Sequence, residues 1–306
     1  MTITSLGLTN FAYLESITEL LLTARSEDDN AGIYEAADLQ WWWREGEVDD
    51  PRNQIFWFDA AGAPVAAFLT YEDGKTAECD CFWLSSARPQ VIHSVWPAAR
   101  ARLRELAARG LSVKITVDER DEEWATALEE LGLVRSETSM IQMVQTIRPP
   151  IEIGPSLKTP PDSSLSEFKI LDDRTRPEGV PHHLCQRNGK DVAARLQECS
   201  LYRADLDLVM KTKTGETAAY CLCWFDPRNR IGLFEPVRTE ETFYRRGLGV
   251  RLMTEGLRRL AELGARSIKV THRSGNTAAS KLYEKVGFRP VFEKLEYYSG
   301  PPDCAR

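Results

Sequence analysis

The sequence predicts a mixed α/β protein built from two similar domains in tandem, each with a central, mostly antiparallel sheet and helices on both faces. Three observations predict this fold. The same order of strand and helix patterns occurs twice along the 306 residues. Matching positions in the two copies keep a nearly constant spacing. A proline-rich segment separates the copies.

The first copy begins with a helical pattern over residues 10–25, for which Asn10 is the predicted cap. Strands are predicted at 55–58, 65–69 and 78–84, and the turn residues 59–62 join the first two into a hairpin. A helix over 90–109, a strand over 111–117, a helix over 121–131 and a strand over 139–147 complete the copy.

Three adjacent tryptophans, Trp41 to Trp43, precede the first hairpin. On a helix they would point in directions about 100° apart, so at least one should lie near the surface or an interface. They suit either an aromatic pocket wall or a core that continues into a domain contact. Because large aromatic side chains mostly serve burial, the second interpretation is favoured.

Residues 148–166 contain five prolines and several serines, which predicts a semi-rigid linker. After it the hairpin returns over 206–211 and 218–222, followed by a strand at 231–234 and a helix over 248–263. A strand at 267–271 and a helix over 276–286 complete the second copy. The predicted units are domains at 1–147 and 167–298, the linker at 148–166 and a tail at 299–306.

The two copies align with little change of register. Gly62 falls on Gly215 at a shift of 153 residues, Gly110 on Gly264 at 154, and Gly132 on Gly287 at 155. Because several positions match in the same order along both copies, the sequence indicates an internal duplication.

Composition excludes several classes of protein. The net charge is −7 without a block of Lys or Arg, so nucleic acid is not an expected partner. The longest apolar run, 218–225, is far shorter than the ~20 residues of a membrane helix. The chain also begins without the basic segment of a signal peptide, which favours a cytoplasmic protein.

Seven cysteines include two C-x-C pairs, Cys79/Cys81 and Cys221/Cys223. On a strand both members of a pair face the same side, which suits either a metal or redox pair or packing under a sheet. Zinc ligands usually stand further apart in the chain, so packing is favoured and no metal is expected.

A glycine turn at 245–250 is the first candidate site. It reads Arg245-Arg246-Gly247-Leu248-Gly249-Val250 and opens a helix, where backbone amides and the helix dipole favour a phosphate or pyrophosphate. Leu252 occupies the third-glycine position of a Rossmann loop, and the turn lacks the G-K-[ST] ending of a P-loop. By itself the turn suits a solvated loop equally well.

The second motif lies about thirty residues on, at Asn276-Thr277-Ala278-Ala279-Ser280-Lys281-Leu282-Tyr283-Glu284-Lys285-Val286-Gly287-Phe288. With the glycine turn, it makes the run from Phe234 to Tyr298 resemble the GNAT superfamily of acyl-CoA-dependent N-acyltransferases. The first half resembles that fold only through the duplication. Tandem proteins exist in this superfamily, and the resemblance implies a sheet with two splayed strands in each half.

The resemblance implies where acetyl-CoA binds. Its pyrophosphate would lie on the amides of the glycine turn, and its pantetheine would pair like an extra strand with the backbone of an exposed edge. The implied cofactor-binding residues are Val237, Arg238, Thr239, Arg245, Arg246, Gly247, Leu248, Gly249, Val250, Asn276 and Tyr283.

The resemblance also implies two catalytic residues, Glu235 and Tyr283. Glu235 would accept the proton of the attacking amine, directly or through water, and the phenol of Tyr283 would protonate or hydrogen-bond the leaving sulfur. His272 could be a base on the substrate side, although a histidine at a strand end is more often polar surface. The family's [QR]-x-x-G-x-[GA] pattern has one departure here, at Tyr244.

The first half lacks the residues of that site. The shifts place different residues on the functional positions: the bulky His93 and Val95 on the two glycines, Asp121 on Asn276, Leu128 on Tyr283, and Trp83 near Glu235. The first half is therefore predicted not to bind coenzyme A, and to support the second half and wall its substrate cleft.

The expected function is transfer of an acetyl group from acetyl-CoA to a primary amine of a small molecule or peptide, with the active site in the second half. The alternative is a non-catalytic acyl-CoA-binding regulatory module. Pockets for the acceptor are built from early helices and loops, here 184–202, which carry no recognisable motif. The chain is expected to be a monomer or a homodimer.

Overall fold

The computed structural model describes residues 4–30, 32–43, 50–147 and 167–299. The predicted linker, 148–166, and all but the first residue of the predicted tail lie outside these ranges. The strands are β1 (Thr4–Leu6), β2 (Gln54–Phe58), β3 (Pro64–Asp73), β4 (Thr76–Trp83), β5 (Ser112–Asp118), β6 (Val134–Thr146), β7 (Phe168–Asp172), β8 (Asp207–Thr212), β9 (Thr217–Asp226), β10 (Ile231–Thr239), β11 (Ser267–Arg273) and β12 (Arg289–Tyr298). The helices are α1 (Asn10–Glu27), α2 (Ala36–Trp42), α3 (Arg88–Ala108), α4 (Glu122–Glu130), α5 (Cys185–Asn188), α6 (Val192–Gln197), α7 (Leu248–Glu262) and α8 (Thr277–Lys285).

The twelve strands of the described ranges belong to one sheet, in the order β1-β2-β3-β4-β5-β12-β6-β11-β10-β9-β8-β7. Two neighbouring pairs in this order, β4–β5 and β10–β11, are parallel and the others are antiparallel. The mixed α/β class and the mostly antiparallel sheet are therefore confirmed.

The two halves exchange their last strands. β12 of the second half lies between β5 and β6 of the first, and β6 of the first half lies between β12 and β11 of the second. The sheet order is therefore symmetric about the β12–β6 contact. The strand pattern of the sequence is local, so it indicates that β6 is a strand but not which strands flank it.

Alternation along β9 separates two layers of core. Tyr220, Leu222 and Trp224 are buried in the same hydrophobic cluster as residues of α1, α2 and α6. Cys221 and Cys223 point the other way, into the cluster that contains the apolar side of α7. We call these two sides of the sheet the α2 face and the α7 face.

The cysteine pairs pack as expected under a sheet. Cys79, Cys221 and Cys223 are buried, and the Sγ atoms of Cys221 and Cys223 are 3.8 Å apart with both cysteines free. Cys221 and Cys223 are therefore packed in the core under the sheet.

The tryptophans of the α2 region make the predicted contact between halves. Trp41 and Trp43 are buried. The indole of Trp43 donates to Glu198 at 2.6 Å, and the Arg195 guanidinium lies 4.1 Å from its ring centroid. Both partners are at or near α6, so the interpretation as core plus domain contact is confirmed.

Helix α1 starts differently from the prediction. Asn10 is its first residue, with a φ of 52°, and the N-cap position is Thr9. Asparagine tolerates this left-handed conformation better than most residues because its short polar side chain can hydrogen-bond locally.

Candidate active site

A gap opens between β10 and β11 because the two strands pair over three residues only. The parallel register runs from Ile231–Ser267 to Leu233–Lys269, and beyond it β10 continues to Thr239 with β9 as its remaining neighbour. Among the described residues, no strand pairs with the β11-facing side of β10 past Leu233. Residues 237–239, predicted to hold pantetheine, lie on this open edge.

A bulge places Glu235 at the start of the gap. The β9–β10 register passes from Phe234–Cys223 to Val237–Cys221, so Glu235 and Pro236 stand together opposite one residue, Leu222. Phe234 and Val237 both pack on the α7 face. The two residues between them are therefore directed to the α2 face, where Leu222 is buried.

Trp224 fixes the backbone of the bulge. Its indole donates to the carbonyl oxygen of Glu235 at 2.7 Å, and the Glu235–Pro236 peptide is cis. The Glu235 side chain is half-buried.

The glycine turn opens α7 with unsatisfied amides directed away from the helix. Arg245 and Gly247 have φ values of 61° and 76°, and Gly247 is the N-cap. The Arg251 amide donates to the Gly247 carbonyl at 3.1 Å, which closes the first helical turn. The three amides before it, Leu248 to Val250, thus precede the hydrogen-bond ladder and suit an anion.

Close packing of helices explains the second glycine of the turn. A Cβ added at Gly249 would lie 3.1 Å from Cδ2 of Leu282 in α8 and 3.6 Å from Oγ1 of Thr239. Gly249 therefore lets the start of α7 approach both α8 and the end of β10. Gly247 meets no such neighbour, and its requirement for glycine is the left-handed backbone.

The arginines of the turn are exposed. Arg246 forms a 3.4 Å ion pair with Glu167, while its guanidinium lies 5.4 Å from the Phe243 ring. Tyr244, the departure from the family pattern, is 55% exposed. These side chains are therefore accessible at the mouth of the turn.

Tyr283 is buried in α8 on the α7 face, with its ring 5.8 Å from that of His272 and 6.2 Å from that of Phe288. Burial raises the pKa of its phenol, and the negative charge of Glu235 raises it further. The phenol therefore stays protonated at neutral pH and can donate a hydrogen bond.

Asn276 has a structural role that the motif did not reveal. It is the N-cap of α8, and its Oδ1 accepts the Ala279 amide at 3.0 Å. Asp121 caps α4 in the same way by accepting the Trp124 amide at 3.1 Å. The two positions match at the shift of 155, so capping is common to both halves.

His272 is not surface, as a lone histidine at a strand end was expected to be. It is 5% exposed, and its Nδ1 lies 2.8 Å from the Arg273 carbonyl. It faces Tyr283 because β11 turns alternate residues toward the α7 face.

Comparisons with known proteins agree with this geometry. Residues 171–288 match the model of the acetyltransferase (GNAT) family. The second half of the chain belongs to the GNAT family. A comparison with curated protein sequences gave no match.

Solved structures extend the similarity in fold to both halves. A tandem GNAT protein from the clavulanic acid biosynthesis pathway matches with a TM-score of 0.66 at 15% identity, over 99% of this chain and 100% of that one. A GCN5-related N-acetyltransferase from Sphaerobacter thermophilus gives 0.61 at 12% identity, over 97% and 95%. An acetyltransferase described as putative, from Pyrococcus horikoshii, gives 0.52 at 13%, over 98% and 89%. The chain thus has a tandem GNAT fold.

The first GNAT-like half has its own gap without a glycine turn. β4 and β5 pair in parallel up to Cys79–Ile115 and then separate. Helix α3 already begins at Arg88, and the two residues aligned with the turn glycines, His93 and Val95, lie inside it. A further turn of helix therefore replaces the amides that α7 leaves open.

The strand register of the first half corrects the residue that corresponds to Glu235. The sequence shift between the two halves suggested Trp83. However, Glu235 stands opposite Leu222, and the counterpart of Leu222 at the shift of 153, Leu69, pairs with Asp80. Asp80 is 8% exposed, and burial and the charge of Glu78 raise its pKa to about 7. The two-residue bulge in β10 shifts the alignment, which is why the sequence alone did not reveal Asp80.

A buried ionic group ties α1 and α2 to the second half. Glu35 pairs with Lys269 of β11 at 2.8 Å and with Arg25 of α1 at 2.7 Å. Lys294 of β12 donates to Thr271 at 3.2 Å. Burial lowers the pKa of Lys269 to about 8 despite the neighbouring carboxylate. These contacts hold α2 over the α2 face beside the gap.

Sequence reasoning also missed a buried group formed by His182, His183 and Asp207. The three come from a loop and from β8, and no known motif joins them. Within the described ranges, the helices are too short or too polar to cross a membrane.

Proposed function

We propose that the protein is an N-acetyltransferase that moves an acetyl group from acetyl-CoA to a primary amine of a small molecule or peptide. One observation carries this proposal. The gap between β10 and β11 brings together an open strand edge, a helix start with free amides, the bulge carboxylate Glu235 and the buried phenol of Tyr283. These groups come from separate segments, and each supplies something that acyl transfer requires.

The binding residues follow from the chemistry of each part of acetyl-CoA. The turn from Arg245 to Val250 would hold the pyrophosphate through its amides, aided by the helix dipole. The open edge at residues 237–239 would hydrogen-bond the amides of pantetheine by strand addition. Asn276 would act mainly by fixing the start of α8, whose next turns carry Leu282 and Tyr283.

The transfer itself needs a proton acceptor and a proton donor. An ammonium group is no nucleophile, so the acceptor amine must first lose a proton, which Glu235 would take directly or through water. The neutral nitrogen then attacks the thioester carbonyl, and the phenol of Tyr283 would donate to the departing sulfur. Its raised pKa keeps that proton available.

The first half is proposed to support the site without binding coenzyme A. Its gap contains a cavity of about 320 Å³ whose charged residues are largely paired with one another, as in the Arg88–Asp121 ion pair of 2.8 Å. The start of α3 offers no glycine turn for a pyrophosphate. The contribution of this half is α2, which covers the α2 face next to Glu235.

Thiol release from acetyl-CoA tests the proposal with a panel of primary amines that includes small diamines, amino sugars and peptide N-termini. Release that depends on one class of amine, with the acetylated product seen by mass spectrometry, is the expected result. Thermal stabilisation by acetyl-CoA without release for any amine would favour the regulatory binding module instead. If acetyl-CoA neither stabilises the protein nor reacts, both functions are wrong.

A further inference from the structure

Two adjacent histidines on the loop before α5 converge on one buried carboxylate. Nε2 of His182 lies 2.8 Å from Oδ2 of Asp207, and Nε2 of His183 lies 3.1 Å from Oδ1. Asp207 is 0% exposed, and the His183 side chain is 3% exposed.

Hydrogen bonds define the state of His182. The Leu184 amide donates to its Nδ1 at 3.2 Å, which places its proton on Nε2, directed at Oδ2 of Asp207. The Tyr202 hydroxyl donates to the same oxygen at 2.9 Å. His182 is therefore a donor, which disfavours its use as a metal ligand.

His183 differs from His182 in its hydrogen bonding. Its Nε2 and Oδ1 of Asp207 are both buried and lie 3.1 Å apart without hydrogen-bond geometry, and neither has a hydrogen-bond partner among the described residues. Burial acts to raise the pKa of Asp207, but the two imidazoles hold it below its ordinary value, so the carboxylate is ionised. An ionised Asp207 favours a proton on Nε2 of His183, which leaves Nδ1 as the basic nitrogen.

Asp207, which faces His183, lies two strands away from the Glu235 bulge. Asp207 pairs with Leu222, and Leu222 stands opposite the Glu235 bulge. With neighbouring strands about 4.8 Å apart, the Cα atoms of Asp207 and Glu235 are about 10 Å apart across β9. The ring centroid of His183 lies 5.3 Å from that of Tyr220, two residues from Leu222 on the same face. His183 thus lies over β8 and β9 on the α2 face, the face toward which Glu235 is directed.

His183 also lines a cleft that opens beside the end of β10. The cleft measures about 460 Å³ and includes Tyr220, Glu240 and Glu241. Its walls carry more acidic than basic groups, and its one arginine, Arg187, pairs with Glu240 at 3.0 Å. Such a cleft suits an amine that enters as its ammonium form.

We propose that His183, oriented by Asp207, is a second proton acceptor of the transfer site and that the cleft admits the acceptor amine. This proposal rests on the proposed function. A primary ammonium loses two protons on becoming an amide, one before attack and one as the C–N bond forms. Glu235 takes the first. Nδ1 of His183 takes the second while the C–S bond breaks and Tyr283 protonates the sulfur. Of the two protons taken up by Glu235 and His183, one then returns to Tyr283 through water and the other leaves to solvent through the cleft, so that all three side chains regain their starting protonation states.

The test compares His183→Asn and His183→Gln with Glu235→Gln in thiol-release kinetics against pH. General-base groups contribute about 10²–10⁴-fold, so we expect both His183 variants to lose about 100-fold or more in kcat/KM. They should also lose the acidic limb of the kcat/KM profile that reflects a histidine, while Glu235→Gln keeps that limb. Gln at 183 can still donate to Asp207, so it preserves the loop if Asn does not. His93→Asn, at an exposed position in the first half, is the matched control.

Charged and titratable groups from several elements face His183, Asp207 and the cleft. If the His183 variants keep part of the acidic limb of the kcat/KM profile, any of these groups could be its origin. They are Asp173, His182, Arg187, Tyr202, Asp207, Glu216, Tyr220, Glu240 and Glu241. Asp207→Asn should shift the limb, because a neutral amide no longer fixes the tautomer of His183.

Two results would overturn the proposal while leaving acetyl transfer intact. In the first, the wild type is active, and the folded His183 variants keep kcat/KM within threefold of the wild-type value and retain the acidic limb of the pH profile. The other is loss of wild-type activity in EDTA with recovery on adding Zn²⁺, which would make the group a metal site. A wild-type protein that releases no thiol with any amine contradicts the proposed function itself, and thermal melts with acetyl-CoA establish that each variant is folded.

Discussion

At the scale of single residues, Tyr283 is the group whose environment matches its proposed role most directly. It is 7% exposed, and burial, with the charge of Glu235, raises its pKa. We expect Tyr283→Phe to lower kcat by about 100-fold, the lower end of the range for general acids, and to leave acetyl-CoA affinity nearly unchanged. Steady-state kinetics and calorimetric titration measure the two quantities. Equal turnover in the folded variant would remove Tyr283 from the mechanism.

Asp80 gives a prediction about stability. Burial and the charge of Glu78 raise its pKa to about 7 in the folded protein, against about 3.9 in an unfolded chain. The folded state therefore retains a proton that the unfolded state loses between those values. This contribution to stability is complete below about pH 4 and is lost as pH rises through 7.

Asp80→Asn should remove that loss. Between pH 4 and pH 8 the free energy of unfolding of the wild type should fall relative to the variant by a few kcal/mol, about 4 at most at ~1.4 kcal/mol per pKa unit. Urea unfolding at three pH values measures the difference, with the exposed Asp73→Asn as control. Parallel pH profiles for wild type and Asp80→Asn would show that Asp80 ionises normally in the folded protein.

The sequence identified residues that belong to a motif and missed those defined by register or by distance. Glu235 and Tyr283 lie in or beside recognisable runs, and the structure brings both to the gap. Asp80 was missed because a bulge changes the shift by a residue. His183 and Asp207 are far apart in the chain and meet through the pairing of β8 with β9, which residue patterns do not reveal.

At the scale of elements, the glycine turn is defined by backbone conformation. Gly247 has a φ of 76° with open space at its Cβ position, so a side chain there meets strain but no clash. We expect Gly247→Val to weaken acetyl-CoA binding by at least tenfold, because the left-handed conformation costs a non-glycine residue about 1–2 kcal/mol and the turn amides would reorient. Isothermal titration measures the change in Kd.

The matched control for that prediction is Gly110→Val. Gly110 has a φ of 82°, also with open space at its Cβ, and it ends α3 in the first half. Both variants should lose similar stability in thermal melts, whereas Gly110→Val should keep its acetyl-CoA affinity. Equal Kd values for the two variants would mean that the turn does not bind the nucleotide.

The long helix α7 was predictable from the sequence, whereas several short elements were not. The helical pattern over 248–263 corresponds to α7, Leu248–Glu262, because six buried residues on one side repeat at helical spacing. Strands β1 and β7 have three and five residues, too few to show alternation. Helices α5 and α6, with four and six residues, lie in the acceptor region for which no motif was recognised.

At the scale of the whole molecule, the duplication predicted two copies of one fold but not their dependence on each other. Local patterns define each strand, whereas the neighbours of β6 and β12 are set by long-range pairing. The buried ions Glu35 and Lys269 add a second link, because separating the halves would leave each charge without its partner. These contacts also keep α2 beside the gap, which is how the proposed function has the first half support the site.

The exchange of strands predicts how the halves behave when separated. In an isolated 1–147 fragment, β6 has neither of its neighbours and β5 loses β12. In an isolated 148–306 fragment, β11 and β12 lose the strand between them. Exposed edges of this length favour aggregation, so we expect neither fragment to show a cooperative thermal transition.

A protease site inserted within 148–166 provides the control, because a chain cut there after folding keeps every strand pair. The two pieces of that cut chain should co-elute in size-exclusion chromatography and melt together. A separate 1–147 fragment that unfolds cooperatively would show that the first half can close its sheet without β12, and the exchange would then be an association between two self-sufficient domains.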